Sequence, residues 1–163
     1  MGVTTFTQEF PTLIAPSRMF KALIVDSHNL IPKIAPQGIK SIKFVEGDGG
    51  AGSIKVTNFA EGGHLKFLKH KIDFLDTENL VCKYTLIEGD VIFDKIEKVV
   101  YEVQFLALSN GGCVCKMISE YHAKGDISPT EINEEDIKQG KEKAMGLYKV
   151  VEEFLLANPD AYA

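Results

Sequence analysis

The run Gly47-Asp48-Gly49-Gly50-Ala51-Gly52 has the glycine spacing of a dinucleotide- or phosphate-binding loop. Such loops hold their anion against the N-terminus of a following helix. Here the residues that follow, Ser53-Ile54-Lys55-Val56-Thr57, alternate as a strand; Ser53 stands where a phosphate loop has its lysine, and Glu46 and Asp48 bring negative charge. The run therefore reads as a rigid glycine hairpin. Cys113 and Cys115 lie two apart on a strand and share a face, with Cys82 on another strand, so two thiolates point the same way. The two-residue gap and second pair of a zinc module are missing, which makes these core-filling thiols. His64, His70 and His122 fall on turn and strand positions with no ligand spacing, although His70 on a strand is placed to be a polar group in a pocket. Carboxylate pairs suited to general acid–base work exist at Glu97 with Glu102 and at Glu152 with Glu153, but acidic residues are plentiful and most face water. No nucleophile elbow, zincin motif or Ser-His-Asp arrangement can be assembled. The residues alone assign no catalytic group, no metal and no cofactor.

The elements that would position these side chains follow from changes of period. Val3 to Phe10 alternates weakly, with Val3, Thr5 and Thr7 on one side, and Pro11 is expected to end this first strand. Pro16 opens a helix with Met19, Phe20, Leu23 and Ile24 on one face, stopping near Val25. Asp26 is placed to cap a second short helix carrying Leu30 and Ile31, which Pro32 and Pro36 keep from growing. Six strands follow: Ile39–Val45, Ser53–Phe59, Leu65–Leu75, Asn79–Leu86, Ile96–Leu108 and Cys113–Tyr121. Their turns are Gly47–Gly52, Glu61-Gly62-Gly63, Asp76-Thr77-Glu78, Glu88-Gly89-Asp90 and Asn110-Gly111-Gly112, so the strands form an antiparallel meander.

After Lys124-Gly125-Asp126 the period becomes helical to about Ala157, with a cap at Asn133 and Asp136 or, earlier, at Ser128-Pro129-Thr130-Glu131. Ile137, Ala144, Leu147, Tyr148, Val151, Phe154 and Leu155 form the inner face, and Lys138, Lys141, Glu142, Lys149, Glu152 and Glu153 lie mostly outside. A helix of about 24 residues is ~36 Å long and crosses a whole sheet. It contacts only part of a concave sheet, and the remainder is either filled by large side chains or left as a cavity. Phe59, Phe67, Tyr84, Tyr101, Phe105, Met117 and Tyr121 face inward on this reading. Aromatic walls with a few hydroxyls suit a small-molecule pocket, and mutual packing of the same residues is the competing reading.

Composition narrows the function classes. A chain of 163 residues, 45% hydrophobic, builds one domain with a real core, taken here as residues 1–163. Eighteen basic against 23 acidic residues give a net charge of −5, which argues against strong binding of a nucleic-acid backbone. Three cysteines are too few and odd in number for a disulfide framework, which favours a reducing compartment. The N-terminal MGVTTFTQEFPTLIAP is no secretory signal, no apolar run reaches membrane-spanning length, and a cytoplasmic protein without membrane attachment is expected.

Several runs taken together carry a family resemblance: Asn29-Leu30-Ile31-Pro32-Lys33, Glu46-Gly47-Asp48-Gly49-Gly50-Ala51-Gly52-Ser53, Asp94-Lys95-Ile96-Glu97-Lys98, Tyr121-His122-Ala123-Lys124-Gly125-Asp126 and Leu155-Leu156-Ala157-Asn158-Pro159-Asp160-Ala161-Tyr162. From Gly2 to Tyr162 the chain resembles the plant pathogenesis-related proteins of class ten, the family of the major birch-pollen allergen. The resemblance implies an α+β helix-grip fold: a seven-stranded curved antiparallel sheet around a long C-terminal helix, two short helices closing one end, and an internal hydrophobic cavity. It implies a monomeric, cytosolic defence or stress protein that reversibly binds hydrophobic or amphipathic plant compounds such as cytokinins, flavonoids, sterols and other hormones.

Position by position, the resemblance implies a pocket lined by Leu23, Ile39, Phe59, Phe67, His70, Tyr84, Tyr101, Val103, Met117 and Leu147, with Lys55 reaching toward the cavity. Ribonuclease activity is also ascribed to the family. Lys55, Glu97 and Glu152 match three of the positions named for it, whereas Phe154 occupies the tyrosine position. Related receptors that inhibit a phosphatase under abscisic acid share the fold, but their gate sequences are not found here. Two departures bear on ligand choice: Ala51 stands where many relatives have proline, and the segment Ile127–Asn133 is about three residues longer than is common.

Overall fold

The computed structural model describes residues 3–60, 66–89, 96–123 and 134–163, with backbone alone over 134–141 and at 143. The turn at 61–63, His64, Leu65, residues 90–95, 124–126, the 127–133 segment with both capping alternatives, and the side chains of Asp136, Ile137, Lys138 and Lys141 lie outside the described residues.

Seven strands form one antiparallel sheet: β1 (Val3–Thr12), β2 (Ile39–Glu46), β3 (Ile54–Phe59), β4 (Phe67–Asp76), β5 (Val81–Gly89), β6 (Ile96–Ala107) and β7 (Cys113–Ala123). Their order is β1-β7-β6-β5-β4-β3-β2, so the meander from β2 to β7 is completed by β1 pairing with β7. The first two strands in the chain therefore occupy opposite edges. Short helices carry the chain between those edges, and α3 (Glu134–Ala157, 24 residues) is the long C-terminal helix. Register shifts in the β2–β3, β4–β5 and β6–β7 pairs mark bulges, which bend a sheet and strengthen its twist.

The sequence expectations need three corrections, each with a local cause. β1 continues through Pro11 to Thr12, because β1 is an edge strand and the missing N–H of a proline there interrupts no inner ladder. The first helical segment is not one α-helix to Val25: α1 (Pro16–Phe20) passes into a π-turn at Lys21–Val25, closed by the Asp26 N–H donating to the Lys21 carbonyl five residues back. α2 (Ser27–Ile34) runs through Pro32, which removes one helical N–H without ending the helix. Asp26 stands at the N-cap of α2, but its carboxylate accepts from the Asn29 side chain and the Tyr162 hydroxyl rather than from the helix backbone.

The glycine run is the hairpin loop between β2 and β3. Gly47 has a φ of 80°, and a Cβ there would lie 2.3 Å from the Ser53 hydroxyl oxygen, so both the left-handed backbone and the close approach require glycine. Ser53 Oγ accepts from the Gly49 N–H at 2.9 Å, and the loop is tied to β4 by Gly52 N–H to Ile72 O at 2.7 Å and Ile72 N–H to Ser53 O at 2.9 Å. The amides of Gly49, Gly50, Gly52 and Ser53 are thus already engaged.

Buried apolar residues gather in two clusters. The larger joins Met19, Phe20, Leu23 and Leu30 of the short helices to Val103, Phe105, Cys113, Cys115 and Met117 of the sheet and to Tyr148, Val151 and Leu155 of α3. The smaller holds Leu86, Ile96, Val99, Tyr121 and Ala123. Tyr101 packs against both.

Candidate functional site

Strand register places a band of polar side chains across the sheet. Lys55 of β3 is the cross-strand partner of His70 on β4; Tyr84 of β5 partners Tyr101 of β6; and Tyr101 partners Ser119 of β7. Alternation sets their direction. Leu86, Val99, Val103, Met117 and Tyr121, at even spacing from members of the band, are all buried on the side gripped by the helices. Lys83, Glu102 and Lys69, at odd spacing, form ion pairs on the other face.

The band is assembled by ring contacts. Tyr84 and Tyr101 stack at 5.1 Å between centroids, and the His70 ring meets both edge-on at 5.3 and 6.1 Å. Lys55 Nζ lies 5.9 Å from the Tyr84 centroid, within reach of a cation–π contact. Among the described residues Lys55 has neither a carboxylate partner nor a hydrogen-bond acceptor, and His70 Nδ1, itself buried, has no hydrogen-bond partner.

Burial governs the protonation of the whole group. It pushes the Lys55 ammonium below its ordinary value, with the Cys82 thiol acting weakly in the other direction. His70 is pushed down to about 3, by burial first and then by the charge of Lys55, so its imidazole is neutral at physiological pH. Tyr84 and Tyr101 are held well above 10, again by burial first, and remain neutral phenols. The site offers neutral donors and acceptors on aromatic walls and one amine whose proton is loosely held. Four side chains this deep nonetheless remain half-buried rather than fully packed.

Other expected site residues take distinct places. Leu23 on the π-turn, Val103 on β6 and Met117 on β7 are buried in the larger cluster, with the Tyr148 hydroxyl 3.9 Å from Met117 Sδ. Ile39 and Phe59 are cross-strand partners at the far edge of the sheet, and Leu147 is half-buried on α3. Phe67 has the strand parity of Lys69 and Lys71, opposite to that of Leu68, His70 and Ile72, and so starts β4 on the other face.

The residues matched to the ribonuclease proposal are not gathered. Lys55 is interior, Glu97 is exposed beside the β6 bulge, Glu152 is half-buried on α3, and Phe154 packs against the larger cluster. The three cysteines are free and buried, and burial raises the Cys82 thiol to about 11. No group of three or more potential metal ligands occurs among the described residues.

Residues 1–158 match the pathogenesis-related protein Bet v 1 family. The chain belongs to that family. It is 51% identical to the major strawberry allergen Fra a 1.07 of Fragaria ananassa over 162 residues, covering 99% of each chain. It is 55% identical to the pathogenesis-related protein STH-2 of Solanum tuberosum over 163 residues, covering 100% of both. Among solved structures, Ara h 8.0201 superposes with a TM-score of 0.84 at 35% identity, over 96% of this chain and 100% of that one. Norcoclaurine synthase of Thalictrum flavum, solved with dopamine and hydroxybenzaldehyde, shares the fold at a TM-score of 0.78 and 21% identity, over 96% of this chain and 88% of that one.

Ser119 belongs to the band although it was not among the expected pocket residues, and Cys82 is the neighbour whose thiol bears on Lys55. The inward alternation of β7 exposed a signal for Ser119, since Cys115, Met117 and Tyr121 flank it at the same parity. Nothing in the sequence marked Lys55 and His70 as partners.

Proposed function

We propose that this Bet v 1 family protein reversibly holds a small hydrophobic or amphipathic plant compound in an internal cavity between the curved sheet and α3. The observation that carries the reading is the band Lys55, His70, Tyr84 and Tyr101: interior by its chemistry, half-buried by its surface, and, among the described residues, without partners for the amine and the imidazole nitrogen. A buried polar group left unpaired costs about 1–3 kcal/mol, so a fold that keeps one at His70 Nδ1 gains when a ligand supplies the missing hydrogen bond. The separation of the apolar core into two clusters bridged by Tyr101 supports a space beside the band. Leu23, Val103, Met117 and Leu147 line its apolar part, Ile39 and Phe59 lie toward one edge, and the aromatic stack supplies most of the affinity.

Cytokinins, flavonoids, sterols and abscisic acid-like hormones match this mixture of aromatic wall and sparse polar groups. The protein acts as a cytoplasmic monomer in defence or stress and needs no cofactor. No helix among the described residues is long and apolar enough to cross a membrane, in keeping with that setting. Calorimetric titration with a panel of these compounds tests the reading. Saturable binding at one site per chain, weakened about tenfold or more by Tyr101→Ala, is the outcome expected from loss of a buried aromatic contact. Binding that ignores Tyr101→Ala and Met117→Ala alike would place the ligand elsewhere.

A further inference from the structure

Asp26 stands where an aspartate caps a helix, yet it does not cap. Its φ of −115° and ψ of 17° lie off the extended geometry of an N-cap residue, because the π-turn ends on its N–H, which donates to Lys21 O at 2.8 Å. Its carboxylate oxygens are taken by the Asn29 side chain at 2.7 Å and by the Tyr162 hydroxyl. Tyr162 in turn has a φ of 57°, a left-handed backbone that a bulky residue keeps only where its surroundings impose it. One aspartate thus joins two uncommon backbone states, a π-turn and a left-handed tyrosine, and such states gather at switching segments. Arg18 holds the same tail in another way. Its guanidinium reaches the carbonyls of Leu155, Asn158 and Ala161, so the tail stays anchored on α1 when the single bond at Tyr162 breaks.

We propose that Tyr162 and Asp26 form a latch that keeps the π-turn closed, and that its release opens the short-helix end of the cavity to ligand. The inference rests on the ligand cavity proposed above and gives it a gate. In the latched state Leu23, on the π-turn, is 6% exposed and packs into the larger cluster, while Val25 of the same turn is 46% exposed. On release the tyrosine backbone relaxes and the Lys21 carbonyl passes from the Asp26 N–H to that of Val25, its partner in an ordinary α-helix. Asp26 is then free to take the extended geometry, and its carboxylate accepts from the first N–H groups of α2, as an N-cap aspartate does. The carboxylate exchanges one donor for another, which is what makes the element two-state. Loss of the extra π residue turns α1 and α2 relative to one another by about 100°, the rotation per residue of an α-helix, and lifts Leu23 from the cluster. Met19 and Phe20, buried on α1 and followed by the hinge, stay packed.

The test uses the full-length protein, stopped-flow exchange of the apolar probe 1-anilinonaphthalene-8-sulfonate, and amide hydrogen exchange. Tyr162→Phe is expected to raise the association and dissociation rate constants together, about five- to tenfold for one bond to a charged group, and to leave Kd within about twofold. Amides 21–26 should exchange faster in that variant while those of β6 and β7 stay protected. In an Asp26→Ala background the same Tyr162→Phe change should alter the rates by less than about twofold, because its partner is already gone. Ile96→Ala, in the smaller cluster, lowers stability without touching the latch and is expected to leave probe exchange unchanged. Equal acceleration in Ile96→Ala, or faster amide exchange throughout the sheet in Tyr162→Phe, would assign the effect to general loosening and overturn the proposal. A probe that binds with the same rates in Tyr162→Phe as in wild type overturns the latch and leaves the carrier. Failure of the probe to bind the wild-type protein removes the cavity and its gate together.

Discussion

Lys55 and His70 face one another across β3 and β4, and their energetics set two expectations. His70 titrates near 3 in the fold and near 6.5 in the unfolded chain. Between those values the unfolded chain binds a proton that the folded protein does not, so stability falls as the pH drops through the window, by up to about 1.4 kcal/mol per unit. His70→Phe removes this term, and urea midpoints between about pH 4 and pH 7 should show a flatter decline than wild type. Lys55, likewise depressed, costs the fold the work of deprotonating or burying an ammonium at every pH below its ordinary value. Lys55→Met is therefore expected to raise the denaturation midpoint while weakening ligands that carry a hydroxyl or carbonyl. A lower midpoint would show that the amine has a stabilising partner. The types of these residues and the strands that carry them were legible in the sequence; their partnership was not. Alternation tells which face a residue takes, but the lateral pairing of Lys55 with His70 depends on the register of β3 against β4, which neither strand encodes alone. The same dependence on parity puts Phe67 opposite His70.

At the scale of elements, the end of α3 is fastened to the short helices by two side chains. Arg18, the only arginine in the sequence, donates from Nε to Ala161 O at 3.0 Å and from Nη2 to Leu155 O at 3.1 Å and Asn158 O at 2.9 Å. These are carbonyls at and beyond a helix C-terminus, which lack intrahelical donors, and the guanidinium also suits the negative end of the helix dipole. The Tyr162 hydroxyl donates to the Asp26 carboxylate, which helps hold that carboxyl below its usual range despite partial burial; burial first, and then this bond and the carboxylate's charge, push the phenol up to about 12. Arg18→Met should cost about 1–3 kcal/mol in urea unfolding, and Arg18→Lys should recover little, since an ammonium cannot serve three separated carbonyls. Full recovery in Arg18→Lys would mean that the charge, not the fork, holds the tail. Most element bounds were legible because periodicity and turn residues are local signals. This fastening was not, because it joins residues 136 to 143 positions apart. Pro11 and Pro32 misled for the opposite reason: a proline's local penalty is small on a sheet edge or where surrounding packing holds the helix together.

On the scale of the whole molecule, the seven-stranded sheet, short helices and long helix place apolar packing at two ends and the polar band between them. The thiols belong to the packed part. Cys82, Cys113 and Cys115 are 2%, 0% and 0% exposed, and a disulfide reagent at neutral pH should titrate none of them until denaturant is added. Rapid reaction of any thiol in the folded protein would show that the packed part opens readily. The helix-grip layout could be read from the sequence in outline, since the sheet-to-helix change of period and the family runs span the chain. Whether its concave face was filled or hollow could not, because that depends on how far α3 stands from the sheet, a distance that no local pattern encodes.

The most direct test of the account is titration of the purified protein with a fluorescent apolar probe, followed by competition with cytokinins, flavonoids, sterols and abscisic acid. The account predicts saturable probe binding at one site per chain, competitive displacement by at least one of these classes, and loss of both in Tyr101→Ala with the fold intact. A protein that binds no probe, or binds it unchanged when Tyr101 is removed, would contradict the claim that the band lines a ligand cavity.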